Sequence, residues 1–290
     1  MSFGSERSES ASGGVQAFAR ALPVEYNYDL ALALVLADIA DEISQRRFLA
    51  QDLNIQTKPD ATPVTDADQA IEKVLREKLK TERPADLIVG EEFGKPDSVT
   101  GNRYWVIDPI DGTKNFMRGV PIWATLIALI DARGDASDKT VVGVVSAPAL
   151  RRRWFAVKDG GAYLCENGGQ PRKIHVSSVK NIADASLAYS DLAGWGERRD
   201  SFLRIHDQVW RTRGIGDFWS HMLVAEGAVD LAAEPSLSLW DMAALEAIVV
   251  EAGGKFTDVA GADGCQGASA VSSNRLLHSE FLQALNTGRS

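Results

Sequence analysis

The sequence predicts a two-part protein, an α+β half followed by an α/β half. Three observations carry this. Residues 25–183 read as helix, helix and then an uninterrupted run of strands, the order of a layered α+β unit. Residues 184–290 alternate short strands with helices, the order of an α/β unit. The 290 residues also exceed the usual single-domain size, so two fused subdomains are expected.

Taken in order, residues 1–24 are rich in Ser, Gly and Ala with scattered charges, which predicts a disordered N-terminal extension. A helix is predicted from about Tyr28 to Phe48, where Leu30, Leu32, Leu34, Ala37, Ile39 and Ile43 cover much of its surface. The string TKPDATPVT reads as a polar loop, because Pro59 and Pro63 stop helix on either side. Thr65 is a suitable N-cap for a second helix from Asp66 to Thr81, with Ile71, Val74, Leu75 and Leu79 on one face. Strands are predicted at 87–90, 104–108, 122–130, 141–147 and 152–157. In the second half, strands at 186–190, 229–233 and 269–273 alternate with helices near 197–208, 217–227, 240–252 and 275–286. The pair Gly253–Gly254 stops the third of these helices before the strand KFTDV.

Apolar residues make up 45% and charged residues 24% of the chain, ordinary values for a globular protein with a sizeable core. The net charge of −9 argues against a general nucleic-acid binder, which needs a basic face. It leaves room for a small phosphate, because a bound metal can supply the positive charge. Cys165 and Cys265 stand far apart and form no CxxC pair, as expected of two reduced thiols in a cytosolic protein. No stretch reaches the ~18 apolar residues of a membrane span. The N-terminus lacks a basic start and an apolar h-region, so a cytoplasmic protein with no membrane partner is expected.

Acidic residues concentrate at two neighbouring places, GEEFG (90–94) and WVIDPIDGTKNF (105–116). Asp108 and Asp111 end a strand, and Pro109 and Gly112 shape a turn that can converge both carboxylates. Hard divalent cations such as Mg2+ want such oxygen ligands, and crowded carboxylates repel unless a cation or proton intervenes. Gly112, Thr113 and Lys114 then offer backbone N–H groups to a phosphate oxygen. A DPxDG string by itself is often only a turn. Glu91, at the end of the strand upstream, and Asp241, opening a helix far downstream, widen the pattern; Asp241 also suits a plain helix N-terminus.

Together VTDADQAIE (64–72), GEEFG, IDPIDGTKNF and SLWDMAALEAIVVEAGG (238–254) resemble the inositol monophosphatase family, with matching order and spacing over residues 27–287. The resemblance implies a layered α/β/α/β/α sandwich and Mg2+-dependent hydrolysis of a small phosphate monoester, with two or three ions. It also implies a homodimer. By residue, it implies metal ligands at Glu91, Asp108, Asp111, Asp241 and the carbonyl of Ile110. Asp68 corresponds to the acid beside Glu91 and an outlying third metal, and Thr113 to the threonine that orients the attacking water with Glu91. Gly112 and Thr113 correspond to the phosphate cradle, and Lys58 to a basic residue near the metal loop. Arg213, Asp217 and Glu234 correspond to positions around the substrate, although Asp217 also suits a helix cap. No GxSxG or CxxxxxR string offers a Ser or Cys nucleophile.

Within the family, DGTKNFMRGVPIWATLIAL, VVSAPALRRRWFA and LAAEPSLSLWD are most similar to the actinobacterial histidinol-phosphate phosphatases. That substrate carries an ammonium and an imidazole, so acids such as Asp217, Glu234 and Asp191 suit its pocket, and Trp195 could stack on the ring. Inositol hydroxyls also pair with carboxylates, so an inositol monophosphatase or another small-ester phosphatase stays open. A non-catalytic regulator of the same fold is the alternative of another class. The four histidines lack ligand spacing, and Arg151–Arg153 reads as a solvated strand end.

Overall fold

The computed structural model describes residues 5–59, 62–100, 102–133 and 139–287. Its first element corrects the expectation of a disordered extension. Helix α1 (Ser5–Ala21) packs on the body of the protein. Val15 and Ala19 are buried in the first core, and Phe18 meets Phe155 and Tyr163 edge-on. Composition hid a short pattern: Val15, Phe18, Ala19 and Leu22 fall at helical spacing and form a stripe that a tertiary surface can cover. Residues 1–4 of the expected extension lie outside the described residues.

Helix α2 (Asn27–Arg47) is apolar on most sides because it is covered twice, by α1 and by the first sheet. The predicted polar loop instead contains a short antiparallel pair, β1 (Ile55–Thr57) with β2 (Pro63–Thr65). Thr65 then caps α3 (Asp66–Glu82) as predicted. Its hydroxyl accepts from the Asp68 N–H, and the Asp68 carboxylate accepts from the Thr65 N–H at 2.8 Å, a reciprocal capping box.

The first sheet has seven strands in chain order: β3 (Leu87–Gly90), β4 (Arg103–Asp111), β5 (Ala124–Asp131), β6 (Lys139–Ala147), β7 (Arg152–Val157), β8 (Gly161–Glu166) and β9 (Arg172–Lys173). Only β3 and β4 run parallel; the rest is an antiparallel meander. A five-residue helix, α4 (Thr113–Met117), follows β4. The second sheet runs β11-β10-β12-β14-β13, built from β10 (Ser186–Tyr189), β11 (Arg211–Gly214), β12 (Leu231–Glu234), β13 (Lys255–Thr257) and β14 (Ala270–Ser273). Helices α5 (Arg199–Gln208), α6 (Asp217–Ala225), α7 (Leu239–Glu251) and α8 (His278–Asn286) connect and cover these strands. Strand β11 was not predicted: it is an edge strand with sequence RTRG, exposed and without apolar alternation.

The layers stack as α1–α3, seven-stranded sheet, α6–α7, five-stranded sheet, α5–α8. The predicted α/β/α/β/α sandwich is therefore observed. Its middle layer explains the composition of α7. That helix buries Met242, Ala243, Ala244, Leu245, Ala247, Ile248 and Val249, apolar almost all round, because sheets lie on both sides of it.

The arginine run is not simply solvated. Arg153 donates to Asp38 and Asp41 of α2, each at 2.7 Å, and Arg152 pairs with Glu166 and Glu226 at 2.7 Å. Trp154 donates its indole N–H to the same Glu226, tying the first sheet to the end of α6. Cys165 and Cys265 are both free and buried. Among the described residues no helix is long and apolar enough to cross a membrane.

Candidate active site

Strand β4 supplies two acids through a defect in its ladder. Pairing with β5 is regular down to Asp108–Leu126 and then slips before Asp111–Ala124. Residues three apart in a regular strand face opposite sides, so the slip is what lets both carboxylates meet at one end. Pro109 has no N–H to continue the ladder, and its carbonyl accepts the Thr125 hydroxyl at 2.7 Å. Gly112 follows in the left-handed region at φ +84°, and a Cβ there would lie 3.0 Å from the Ile122 carbonyl oxygen. The Thr113 hydroxyl closes the turn by donating to the Ile110 carbonyl at 3.0 Å.

The third acid arrives from the other half. Asp241 stands in the first turn of α7, held by the Ser238 N–H at 2.7 Å. One oxygen each of Asp108, Asp111 and Asp241 lie within 4.8 Å of one another. Glu91 follows β3 and touches the same cluster from the side; its own N–H donates to the Ile107 carbonyl at 3.2 Å. Lys58, on the loop after β1, donates to Glu91 and Glu92, each at 2.6 Å.

The cluster is crowded with negative charge out of water. Burial raises the Asp108 carboxyl well above the usual range, and the charges of Glu91, Asp111 and Asp241 add to it. Burial likewise raises Asp111, with Asp217 and Asp241 adding and the Phe218 N–H, at 2.7 Å, opposing. Burial pushes Asp241 up to about 7. Asp108 Oδ1 is buried with no hydrogen-bond partner among the described residues. Such a set of hard oxygen acceptors, short of donors, could hold a divalent cation.

These acids form one wall of a cavity of about 560 Å3 between the two halves. The cavity carries a second group of acids, Asp191, Asp217 and Glu234, and Asp217 stands beside Asp111. Asp217 opens α6 with φ +49°, and its Oδ2 accepts the Asn115 amide at 3.1 Å. Its N–H donates to the Ser190 hydroxyl at 3.0 Å, and that hydroxyl donates to Glu234 at 2.6 Å. Burial pushes Glu234 up to about 8; the Ser190 hydroxyl opposes this, and the charges of Asp217 and Asp191 add to it. Burial raises Asp217 too, with Lys114 opposing from the rim.

Glu91, Asp108, Ile110, Asp111, Gly112, Thr113, Lys114, Asp191, Asp217, Glu234 and Asp241 all line this cavity. Asp68 stands behind it, fully buried; one oxygen takes the Thr65 cap, and Oδ1 has no hydrogen-bond partner among the described residues. Burial raises it to about 6, and the Glu91 charge contributes. Arg213 does not line the cavity: it is exposed on the edge strand and donates to the Thr212 carbonyl at 2.7 Å. Trp195 is not available to stack on a substrate ring, because it is buried face to face against Phe202 at 3.9 Å. Ser190 and Asn115 were not singled out from the sequence, although both stand inside quoted strings, YSDLAGW and DGTKNF. Nothing in spacing reveals that they anchor Asp217 and Glu234.

Known proteins are similar to this chain. Histidinol-phosphatase of Mycobacterium tuberculosis is 54% identical over 262 residues, spanning 90% of this chain and 98% of that protein. Histidinol-phosphatase of Streptomyces coelicolor is 55% identical over 264 residues, again 90% and 98%. Among solved structures, an inositol monophosphatase from Zymomonas mobilis superposes with a TM-score of 0.76 at 34% identity, covering 90% of this chain and 99% of that one. The model of the inositol monophosphatase family matches residues 25–289. With the layered fold and the converged acids, that match establishes that the chain belongs to the inositol monophosphatase family.

Proposed function

We propose that this protein is a Mg2+-dependent phosphate monoester hydrolase whose substrate is L-histidinol phosphate. One observation carries the reading: a single cavity holds a crowded carboxylate cluster and three further acids beside it. Glu91, Asp108, Asp111, Asp241 and the Ile110 carbonyl would hold two or three Mg2+ ions, an all-oxygen set suited to a hard cation. When bound, Mg2+ offsets negative charge, acidifies bound water and stabilises the leaving oxygen.

The chain's own groups do the rest. The N–H groups of Gly112 and Thr113 receive phosphate oxygens, and Lys114 adds charge at the rim. The Thr113 hydroxyl spends its proton on the Ile110 carbonyl, so its lone pairs can accept from and orient the attacking water. Glu91 takes that water's proton, with Asp68 behind it. No side chain is phosphorylated. Asp191, Asp217 and Glu234 receive the ammonium and imidazole of the substrate, the part a featureless phosphate ester lacks. Arg213 has no role in this scheme. A cytoplasmic homodimer belongs to the same reading, supported by the family resemblance, and light scattering tests the dimer.

The relatives named histidinol-phosphatase support the substrate. Inositol 1-phosphate is the second reading, because Glu234, pushed up to about 8, is protonated at neutral pH and suits neutral hydroxyls as well. Phosphate release from L-histidinol phosphate, inositol 1-phosphate and p-nitrophenyl phosphate, with and without EDTA, separates these. Histidinol phosphate should give the highest kcat/KM, and EDTA should abolish every rate. A preference of about tenfold or more for inositol 1-phosphate refutes the substrate and leaves the phosphatase. A rate indifferent to EDTA refutes the metal.

A further inference from the structure

Behind the carboxylate cluster lies a buried acid that the scheme above does not use. Glu72, on α3, is fully buried and does not line the cavity. Its Oε2 accepts the Glu92 N–H at 2.7 Å, and its Oε1 accepts the Phe93 N–H at 3.2 Å and Arg76 Nε at 2.7 Å. Arg76 in turn donates to the Gly94 carbonyl at 2.6 Å and to the Ile88 carbonyl at 3.4 Å. The two side chains, one helical turn apart, therefore grip the Gly90–Gly94 turn by both its N–H and its C=O groups.

Gly90 records how close that grip is. A Cβ there would lie 2.0 Å from Glu72 Oε1, although the backbone at Gly90 is not left-handed. The glycine is required by the carboxylate beside it and not by its own conformation. The turn so held carries Glu91, whose side chain otherwise has Lys58 as its direct anchor.

We infer that Glu72, with Arg76, is a positioning residue that sets the Glu91 carboxylate for cation binding by clamping the backbone on both sides of it. The inference rests on the reading of Glu91 as a cation-holding group. Outer groups that orient ligands in this way are typically worth about 10–100-fold in metal affinity. A carboxylate ligand on an unclamped turn must be ordered at the moment of binding, and that cost falls on the metal affinity.

The test is calorimetric titration of the full-length protein with Mg2+, well below each variant's Tm, beside steady-state kinetics. Glu72→Gln keeps the side-chain volume but replaces one acceptor oxygen with a donor, so one gripped N–H loses its partner. It should weaken Mg2+ binding by about 10–100-fold while leaving KM for the phosphate ester at saturating Mg2+ unchanged. Gly90→Ala keeps every charge, drives a Cβ into the carboxylate, and should weaken Mg2+ binding alike. In a Glu72→Ala background, Gly90→Ala should cost little more, because the atom it strikes is gone. Wild-type Mg2+ affinity in Glu72→Gln, or additive effects of Gly90→Ala and Glu72→Ala, overturns the inference. Should the Glu72 variants fail to fold, Gly90→Ala alone decides: unchanged Mg2+ affinity overturns the clamp. Glu91→Gln is the control. If it weakens Mg2+ binding and the Glu72 and Gly90 variants do not, the clamp is wrong. If it leaves binding unchanged, the cation-holding role of Glu91 is wrong and the clamp falls with it.

Discussion

The two walls of the cavity are both acidic, yet they are built differently. The wall of Asp108, Asp111 and Asp241 is anchored by main chain. A strand bulge aims two of the carboxylates, a helix N-terminus holds the third, and the Phe218 and Ser238 N–H groups fix their oxygens. The wall of Asp217 and Glu234 is anchored largely by side chains, through the Asn115 amide and the Ser190 hydroxyl. Main-chain anchors survive substitution around them and suit chemistry shared by many relatives. Side-chain anchors are exchanged one residue at a time, which suits the part of a site that chooses a substrate. The first wall should therefore govern turnover on every ester, and the second should govern chiefly which ester is preferred.

The largest effect should come from Asp108→Asn. Loss of a central carboxylate should remove several kcal/mol of transition-state stabilisation, about a thousand-fold or more in kcat, on all three esters alike. The same change should raise the Tm of the metal-free protein, because a crowded buried charge is gone. Near-normal turnover at saturating Mg2+ would sink the assignment.

Asp217→Asn should act on one ester. Asparagine tolerates the left-handed backbone at this position, so the substitution isolates the charge. Losing a partner for a cationic group should cost about 1.5–3 kcal/mol, roughly 10–100-fold in kcat/KM for histidinol phosphate. p-Nitrophenyl phosphate should be nearly unaffected. Equal losses on both would erase the distinction between the walls.

A smaller effect should appear in the pH dependence. Glu234 is pushed up to about 8, so it gains its charge only as pH rises through that value, while the substrate's ammonium stays charged. The ratio of kcat/KM for histidinol phosphate to that for p-nitrophenyl phosphate should therefore climb between pH 7 and pH 8.5. Glu234→Gln should flatten the climb. A wild-type ratio that is flat across this range would show that the Glu234 charge does not meet the substrate.

The least effect on catalysis should come from removing residues 1–21, because the described part, α1, packs on α2 away from the carboxylates. Turnover at 25 °C should be unchanged, but exposing the surface covered by Val15, Phe18 and Ala19 should cost a few kcal/mol. That corresponds to a Tm lower by several degrees, readable by calorimetry. An unchanged Tm would return this segment to the disordered tail expected from its composition.

The sequence by itself made most of the long helices and strands legible, and it picked out the acids that the fold brings together at the first wall. Long apolar periodicities marked α2 and α3, alternation and β-branched runs marked the strands, and Asp108, Asp111, Glu91 and Asp241 stood in strings short enough to read. Capping at Thr65 and the glycine stop at Gly253 were legible because both are local backbone demands. Only the tertiary structure decided the docking of α1, the exclusion of Arg213 and Trp195 from the site, and the anchoring of Asp217 and Glu234 by Asn115 and Ser190. The reason is one of range. A local signal is written in neighbouring residues, whereas the worth of a polar or apolar side chain in a loop depends on what distant chain is brought against it. Ser190, Asp217 and Glu234 come from three separate segments that become neighbours only when the second sheet forms.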